Sequence, residues 1–230
     1  MNNLINDNKK NIELIRKDIK DLNNNIMNNF KELKNNNNNG NIINYQFKTE
    51  IYNDNERYEG QFRNGKREGK GIYYFNNGNR YEGDFKSGKK EGKGIFYFND
   101  GAKYEGDFKN DKREGKGKYY YKNGDRYEGD FKNGKREGKG IFYFNKEPWK
   151  GDRYEGDFKN NKIEGKGIYY YKNGNRYEGD WKNGNQEGKG IYYYNNGDRE
   201  MGNYLNDKRT GKHVKLHANG EVTSEIFFKE

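Results

Sequence analysis

The sequence predicts a mainly β protein: an elongated single-layer array of antiparallel β-hairpins behind a short N-terminal α-helix. Three observations predict it. The first is periodicity. Tyr58-Glu59-Gly60 recurs as Tyr81-Glu82-Gly83, Tyr104-Glu105-Gly106, Tyr127-Glu128-Gly129, Tyr154-Glu155-Gly156 and Tyr177-Glu178-Gly179, at intervals of 23, 23, 23, 27 and 23 residues. A fixed period in this range marks a repeat architecture. The second is composition. Of 230 residues, 36% are charged and 29% hydrophobic, yet 17% are aromatic. Low hydrophobicity with high charge usually means disorder, but disordered chains are poor in rings. A thin aromatic core built by stacking small units reconciles the two. The third is the regular return of residue pairs that tolerate positive φ, as a two-residue hairpin turn requires.

Residues 1–34 follow a different pattern. Ile5, Ile12, Ile19, Ile26 and Leu33 fall seven apart, with Asn8, Ile15, Leu22 and Asn29 between them. That seam predicts an amphipathic helix, either pairing as a coiled coil or packing on the array. Residues 35–44 read as an Asn-rich linker. The array is expected over 45–228. Lys48–Arg57 matches the second half of a unit, and the seventh copy, at Glu200-Met201-Gly202, is degenerate.

Within the unit 81–103, Tyr81-Glu82-Gly83-Asp84-Phe85 alternates with period two, as a strand does. Ser87-Gly88 then makes a turn, and its equivalents include Asn64-Gly65, Asn110-Asp111, Asn133-Gly134 and Asn160-Asn161. Glu91 to Phe98 reads as the return strand, and Asp100-Gly101 closes the unit. Counted from that turn, Gly83 faces Gly92 and Tyr81 faces Gly94, so each tyrosine ring is expected to lie over bare glycine backbone. One row should then hold Tyr58, Tyr81, Tyr104, Tyr127, Tyr154 and Tyr177, and another Phe62, Phe85, Phe108, Phe131, Phe158 and Trp181. The same register places Glu82 opposite Lys93, and likewise Glu59/Lys70, Glu105/Lys116, Glu128/Lys139, Glu155/Lys166 and Glu178/Lys189, as cross-strand ion pairs. With two strands per unit, each unit advances about 10 Å, and seven or so units reach about 70 Å.

The pattern Tyr-Glu-Gly-x-Phe-x-x-Gly-x-x-x-Gly-x-Gly resembles the MORN (membrane occupation and recognition nexus) repeat. Tyr127-Glu128-Gly129-Asp130-Phe131, Gly134, Gly138 and Gly140 satisfy every element of it. The resemblance implies an all-β hairpin array that acts as a scaffold between membranes, cytoskeleton and partner proteins, with phosphoinositide or phosphatidic acid as proposed ligands. The last unit departs from the pattern: Glu200-Met201 stands for Tyr-Glu and His213 for the second glycine. Those changes suit a cap.

No catalytic constellation stands out. There is no cysteine, no Walker sequence and no Ser-His-Asp set. Gly92-Lys93-Gly94 and its copies do not open a helix, and no cofactor is expected. His213 and His217 read as solvated surface histidines rather than metal ligands. No secretory leader, membrane span or lipidation motif is evident, so a cytoplasmic location is expected, in contact with cytoskeleton or membrane.

Two features invite partners. The hairpin tips are basic: Lys66-Arg67, Lys89-Lys90, Lys112-Arg113, Lys135-Arg136 and Lys208-Arg209. They could meet anionic phospholipid, or simply keep an edge soluble. An insertion, Lys146-Glu147-Pro148-Trp149-Lys150, breaks the period and offers Trp149 as a protein-partner anchor. A homodimer through the N-terminal helix or the terminal repeats is expected. Nucleic acid is not, because many basic residues face carboxylates.

Overall fold

The computed structural model describes residues 44–53 and 55–229. The helix expected over 1–34, and the linker before Asn44, lie outside the described residues. From Gln46 onward the chain forms one sheet of sixteen antiparallel strands, each bonded to its sequence neighbours, from β1 (Gln46–Asn53) to β16 (Val222–Phe228). No strand crosses over, so each strand of the sheet is hydrogen-bonded only to the strands before and after it in sequence.

The unit built from β4 (Arg80–Lys86) and β5 (Lys89–Tyr97) stands for the others. Ser87 and Gly88 hold φ values of 51° and 85°, and Asn160 and Asn161 hold 50° and 72°. Two successive left-handed residues make the turn whose twist matches that of paired strands. At the opposite edge the return strand closes through Phe98 N–H to the Ala102 carbonyl, 3.0 Å.

The register differs from the one counted out from the turn. Lys86 pairs with Lys89 and Phe85 with Lys90, but Gly83 pairs with Gly94, Glu82 with Ile95 and Tyr81 with Phe96. Between those points the single residue Asp84 faces Glu91, Gly92 and Lys93. This is a β-bulge, and it slips the pairing by two residues. Gly92 enters it at a φ of 66°, as do its equivalents, for example Gly115 at 63°. Asp84 occupies the bulge: its Oδ2 accepts the Lys93 N–H at 3.1 Å. Asp107, Asp130, Asp157 and Asp180 repeat the bond, and Gln61 substitutes in the first unit. A short side-chain acceptor that captures a backbone donor competes directly with the ladder.

The expected Glu/Lys cross-strand pairs therefore do not form. Lys93 faces Asp107 of the next unit instead, at 2.6 Å, and Lys70–Asp84, Lys116–Asp130 and Lys139–Asp157 match it at 2.6 Å. Lys166 and Asp180 are paired likewise. The ion pairs stitch unit to unit rather than strand to strand within a unit.

The slip also sets glycine against glycine. An unbroken line of Cα partners runs from Gly60 to Gly202 across the sheet, as in Gly71↔Gly83, Gly83↔Gly94 and Gly94↔Gly106. Tyr81 is no longer opposite Gly94, yet its ring leans along its own strand and covers both Gly83 and Gly94. Its hydroxyl donates to the Asp84 carbonyl at 3.0 Å. All six repeat tyrosines are fully buried, though the sheet has one layer. The two expected rows interlock. Tyr81 meets Phe85 edge-on at 5.1 Å and Phe108 of the next unit at 4.9 Å. Edge-to-face ring pairs contribute about 0.5–1.5 kcal/mol each beyond area.

A Cβ at Gly94 would lie under 3.0 Å from the Tyr81 ring and hydroxyl. Gly94→Ala should therefore destabilise the array by about 1–3 kcal/mol, the usual cost of overpacking. Gly134, at φ 82° with nothing within 4 Å of an added Cβ, should accept asparagine within about 0.5 kcal/mol, since Asn161 already stands at that place. Urea unfolding of the two variants checks both outcomes.

Candidate functional site

The sheet carries two chemically distinct faces. One holds the Tyr/Phe zipper and, beside it, a second aromatic file. Tyr73, Phe75, Phe96, Phe98, Tyr119 and Tyr121 begin this file, which continues without interruption to Tyr194. Neighbouring centroids alternate between short steps such as Phe96–Phe98 at 4.7 Å and longer ones such as Phe98–Tyr119 at 5.5 Å. These rings are only partly buried. Reading Glu91 to Phe98 as a plain strand missed this file. The signal was the alternate spacing of Phe96 and Phe98, which puts both on the zipper's face.

The basic tip residues divide by face. Lys66, Lys89, Lys112 and Lys135 are exposed. The second member of each pair folds back onto the rings. Arg67 lies 4.8 Å from the Tyr73 centroid and donates to the Gly88 carbonyl at 2.7 Å. Arg113 lies 5.2 Å from Tyr119 and donates to the Gly134 carbonyl at 2.6 Å. Arg136 lies 5.3 Å from Phe142 and donates to the Asn161 carbonyl. Lys90 sits among Phe75, Tyr81 and Phe96, where burial pulls its ammonium below the ordinary lysine value against the raising effect of Asp111. These four cations roof the zipper, and each cation over a ring adds up to about 2 kcal/mol when desolvated.

At the tips themselves, basic residues face one another. Arg63/Lys66, Lys86/Lys89, Lys109/Lys112, Lys132/Lys135 and Lys159/Lys162 are direct cross-strand partners. All ten are exposed, and among the described residues none enters an ion pair. The row ends at Lys182↔Asn185 and Leu205↔Lys208.

The opposite face is occupied by the Lys–Asp stitches and by cations stacked on tyrosines, such as Arg57 on Tyr74 at 3.6 Å and Arg176 on Tyr193 at 3.8 Å. Two open troughs of about 840 and 760 Å³ run along its glycine line, edged by Lys, Glu and Ile side chains such as Lys93, Glu105 and Ile95. Glutamates of the return strands point to the tip edge: Glu91 accepts the Asn110 N–H at 2.9 Å and Glu114 the Asn133 N–H at 2.8 Å. Across residues 58–176 each repeated carboxylate thus has a structural bond.

The insertion lies at the closing edge, between β9 (Lys135–Tyr143) and β10 (Arg153–Lys159), whose pairing it leaves intact, with Arg153 opposite Tyr143. Asp152 is buried beneath it and accepts from the Tyr169 hydroxyl at 2.7 Å. Trp149 stands 52% exposed, away from the aromatic files.

His213 is not a surface residue; it is fully buried. It belongs to the last hairpin, β14 (Arg199–Leu205) and β15 (Lys208–Leu216). Its ring covers Gly202, as tyrosine rings cover glycine elsewhere, but it arrives from the opposite strand. Its Nε2 lies 2.8 Å from the Asn203 carbonyl, the place of the carbonyl that Tyr81 bonds in its own unit. Glu200, at the vacated tyrosine position, is buried against His213 Nδ1 at 2.9 Å, Arg209 Nε at 2.8 Å and the Tyr194 hydroxyl at 2.7 Å. His217 is elsewhere, exposed against Asp198 at 3.4 Å. Among the described residues no cluster of three or more His, Cys, Asp or Glu side chains could hold a metal ion.

The MORN repeat family matches the chain over residues 58–80, 81–103, 104–126, 127–146, 154–176 and 177–199. No curated protein sequence matches it. Among solved structures it is similar to the G-box domain of the microcephaly protein CPAP, at 9% identity and a TM-score of 0.39 over 80% of this chain and 100% of that one. It is also similar to the wild-type TCP10 domain of Danio rerio CPAP, at 13% identity and a TM-score of 0.23 over 79% and 100%.

Two outcomes follow from this geometry. His213→Gly alone empties the hollow over Gly202 and removes one of the three partners of buried Glu200, and should cost about 2–5 kcal/mol. Adding Glu200→Tyr rebuilds an ordinary unit, so the double variant should recover at least about 2 kcal/mol, a coupling readable from a denaturation cycle. The second outcome concerns acid. Burial raises the Asp157 pKa, but the Lys139 ammonium and the Lys166 N–H outweigh it, leaving a net depression below 3.8. A depressed carboxylate stabilises the fold above its unfolded pKa and loses that contribution as pH falls through the folded one. Wild type should therefore lose stability below about pH 4 more steeply than Asp157→Asn does, as acid titration followed by circular dichroism will read.

Proposed function

Because the chain belongs to the MORN-repeat family, we propose that it is a non-enzymatic scaffold linking partner proteins at the cytoskeleton or a membrane. The observation that carries this reading is uniformity. The first five units, over residues 58–176, present the same half-buried ring file and the same exposed basic tip, and within them each repeated carboxylate is already held by a lysine, an arginine or a backbone N–H. Catalysis requires a pair of groups made different from one another by their surroundings, whereas a ladder of identical sites suits binding at several points at once, where avidity multiplies weak contacts. The reading includes a cytoplasmic setting and a homodimer formed through the N-terminal segment or the terminal repeats.

A second reading is a membrane-targeting module for phosphoinositide or another anionic lipid. The unpaired tip lysines, among them Lys66, Lys89, Lys112 and Lys135, support it. Arg67, Lys90, Arg113 and Arg136 do not add to it, because they are engaged with rings and turn carbonyls.

Proximity labelling in cells, comparing the full chain with a Lys86→Glu/Lys89→Glu/Lys109→Glu/Lys112→Glu variant, should recover a defined protein set that shrinks in the variant. A full-chain profile with no protein above background sinks the scaffold reading, whereas identical profiles count only against partners held at the tip edge. Co-sedimentation with phosphoinositide vesicles at physiological salt tests the second reading, and protein left wholly in the supernatant removes it.

A further inference from the structure

Ten cations face one another in five consecutive pairs along the tip edge, from Arg63/Lys66 to Lys159/Lys162. Opposed like charges destabilise a hairpin, so the stability of the hairpin does not explain the arrangement. Elsewhere on the sheet lysines meet aspartates of the next unit. At the tips they meet neutral amides instead: Lys135 Nζ donates to Asn160 Oδ1 at 3.0 Å, and Lys162 Nζ to Asn183 Oδ1 at 2.9 Å. The amide orients the ammonium along the row and leaves its charge uncompensated. The nearby carboxylates are engaged elsewhere: Glu91 and Glu114 are turned onto backbone N–H groups of the adjacent turn, and Asp111, the one acidic turn residue among the five tips, accepts the Lys90 N–H at 2.9 Å.

We propose that this edge docks an acidic polypeptide segment in an extended, polyproline-II-like conformation, with a carboxylate at every third residue. The proposal rests on the scaffold reading and supplies the chemistry of one partner. The spacing argues for it. Successive tips are two strands apart, about 9.6 Å. A polyproline-II chain advances about 3.1 Å per residue with three residues per turn, so every third side chain lies on one face about 9.3 Å from the last. One carboxylate then meets one basic pair at each tip. The insertion at the closing edge leaves the row continuous, because β9 and β10 keep their pairing. The tips hold Arg, Lys, Asn, Ser, Gly and Asp only, with no ring on which a nucleic acid base could stack and no apolar side chain to enter a bilayer surface.

The test uses the full chain and fluorescence anisotropy. The probe is a labelled peptide of five Glu-Ser-Pro units, about fifteen residues; the comparison peptide has the same composition with its glutamates contiguous. The spaced peptide should bind several-fold more tightly, with an affinity that falls as salt rises. Lys86→Gln/Lys89→Gln/Lys109→Gln/Lys112→Gln should weaken it at least about tenfold, as the loss of four exposed contacts predicts. Lys146→Gln/Lys150→Gln, at the other edge, should leave it unchanged. Equal affinity for the two peptides, which needs no variant to fold, overturns the proposal. So does undiminished binding by a folded tip variant, or tighter lysine-dependent binding to phosphatidylserine vesicles or polyuridine RNA. Failure here leaves the scaffold reading intact, because proximity labelling tests that separately.

Discussion

A phenol ring lying across two facing glycines is the contact on which the whole sheet depends. A single-layer sheet has no second layer to bury its side chains, and this chain has few aliphatic residues with which to build one. The tyrosine solves the problem within its own unit. Because Gly83 and Gly94 lack side chains, the Tyr81 ring can drop onto the backbone of both strands. Its hydroxyl, driven above the ordinary phenol pKa by burial, then donates to the Asp84 carbonyl. Phenylalanines from the same unit and the next close the sides, and an arginine or lysine from the return strand closes the top.

The bulge makes that contact possible. Without its two extra residues Gly83 would face Gly92, whose partner in the next unit is Phe108, and the glycine line would stop there rather than run on through Gly94 to Gly106. Asp84 holds the bulge open and joins the preceding unit through Lys70, so one side chain serves register and stacking together. Interactions of this kind reach only the adjacent unit. Stability is then a sum of units and interfaces, and a substitution in one unit is felt mainly by its neighbours.

The terminal hairpin shows how far the geometry can be redistributed. Glutamate at the tyrosine position and histidine at a glycine position look like decay. In space they exchange roles: the ring reaches the same hollow from the facing strand, and the carboxylate at the vacated tyrosine position becomes its hydrogen-bond partner. What is preserved is a flat ring over a glycine and a donor to one carbonyl, not the residue that provides them. A reading of His213 as a surface residue followed from its polarity, and polarity does not decide burial where hydrogen-bond partners await on both ring nitrogens.

Much of the architecture was legible in the residues alone. Period, turn position and strand alternation are local properties, set by where glycine or asparagine tolerates positive φ and where aromatic side chains alternate, so the hairpin array and the faces of its aromatic rows could be written down from the repeat. Register could not. It turns on Gly92 adopting a left-handed φ and on Asp84 capturing one N–H, and nothing in a string of glycines separates a bulge from a strand. With register undetermined, the partners of Glu82 and Lys93 were undetermined too. The fate of each tip cation was likewise a matter of tertiary structure: adjacent residues on a strand point to opposite faces, so Lys89 reaches water while Lys90 is drawn over the rings of Phe75, Tyr81 and Phe96.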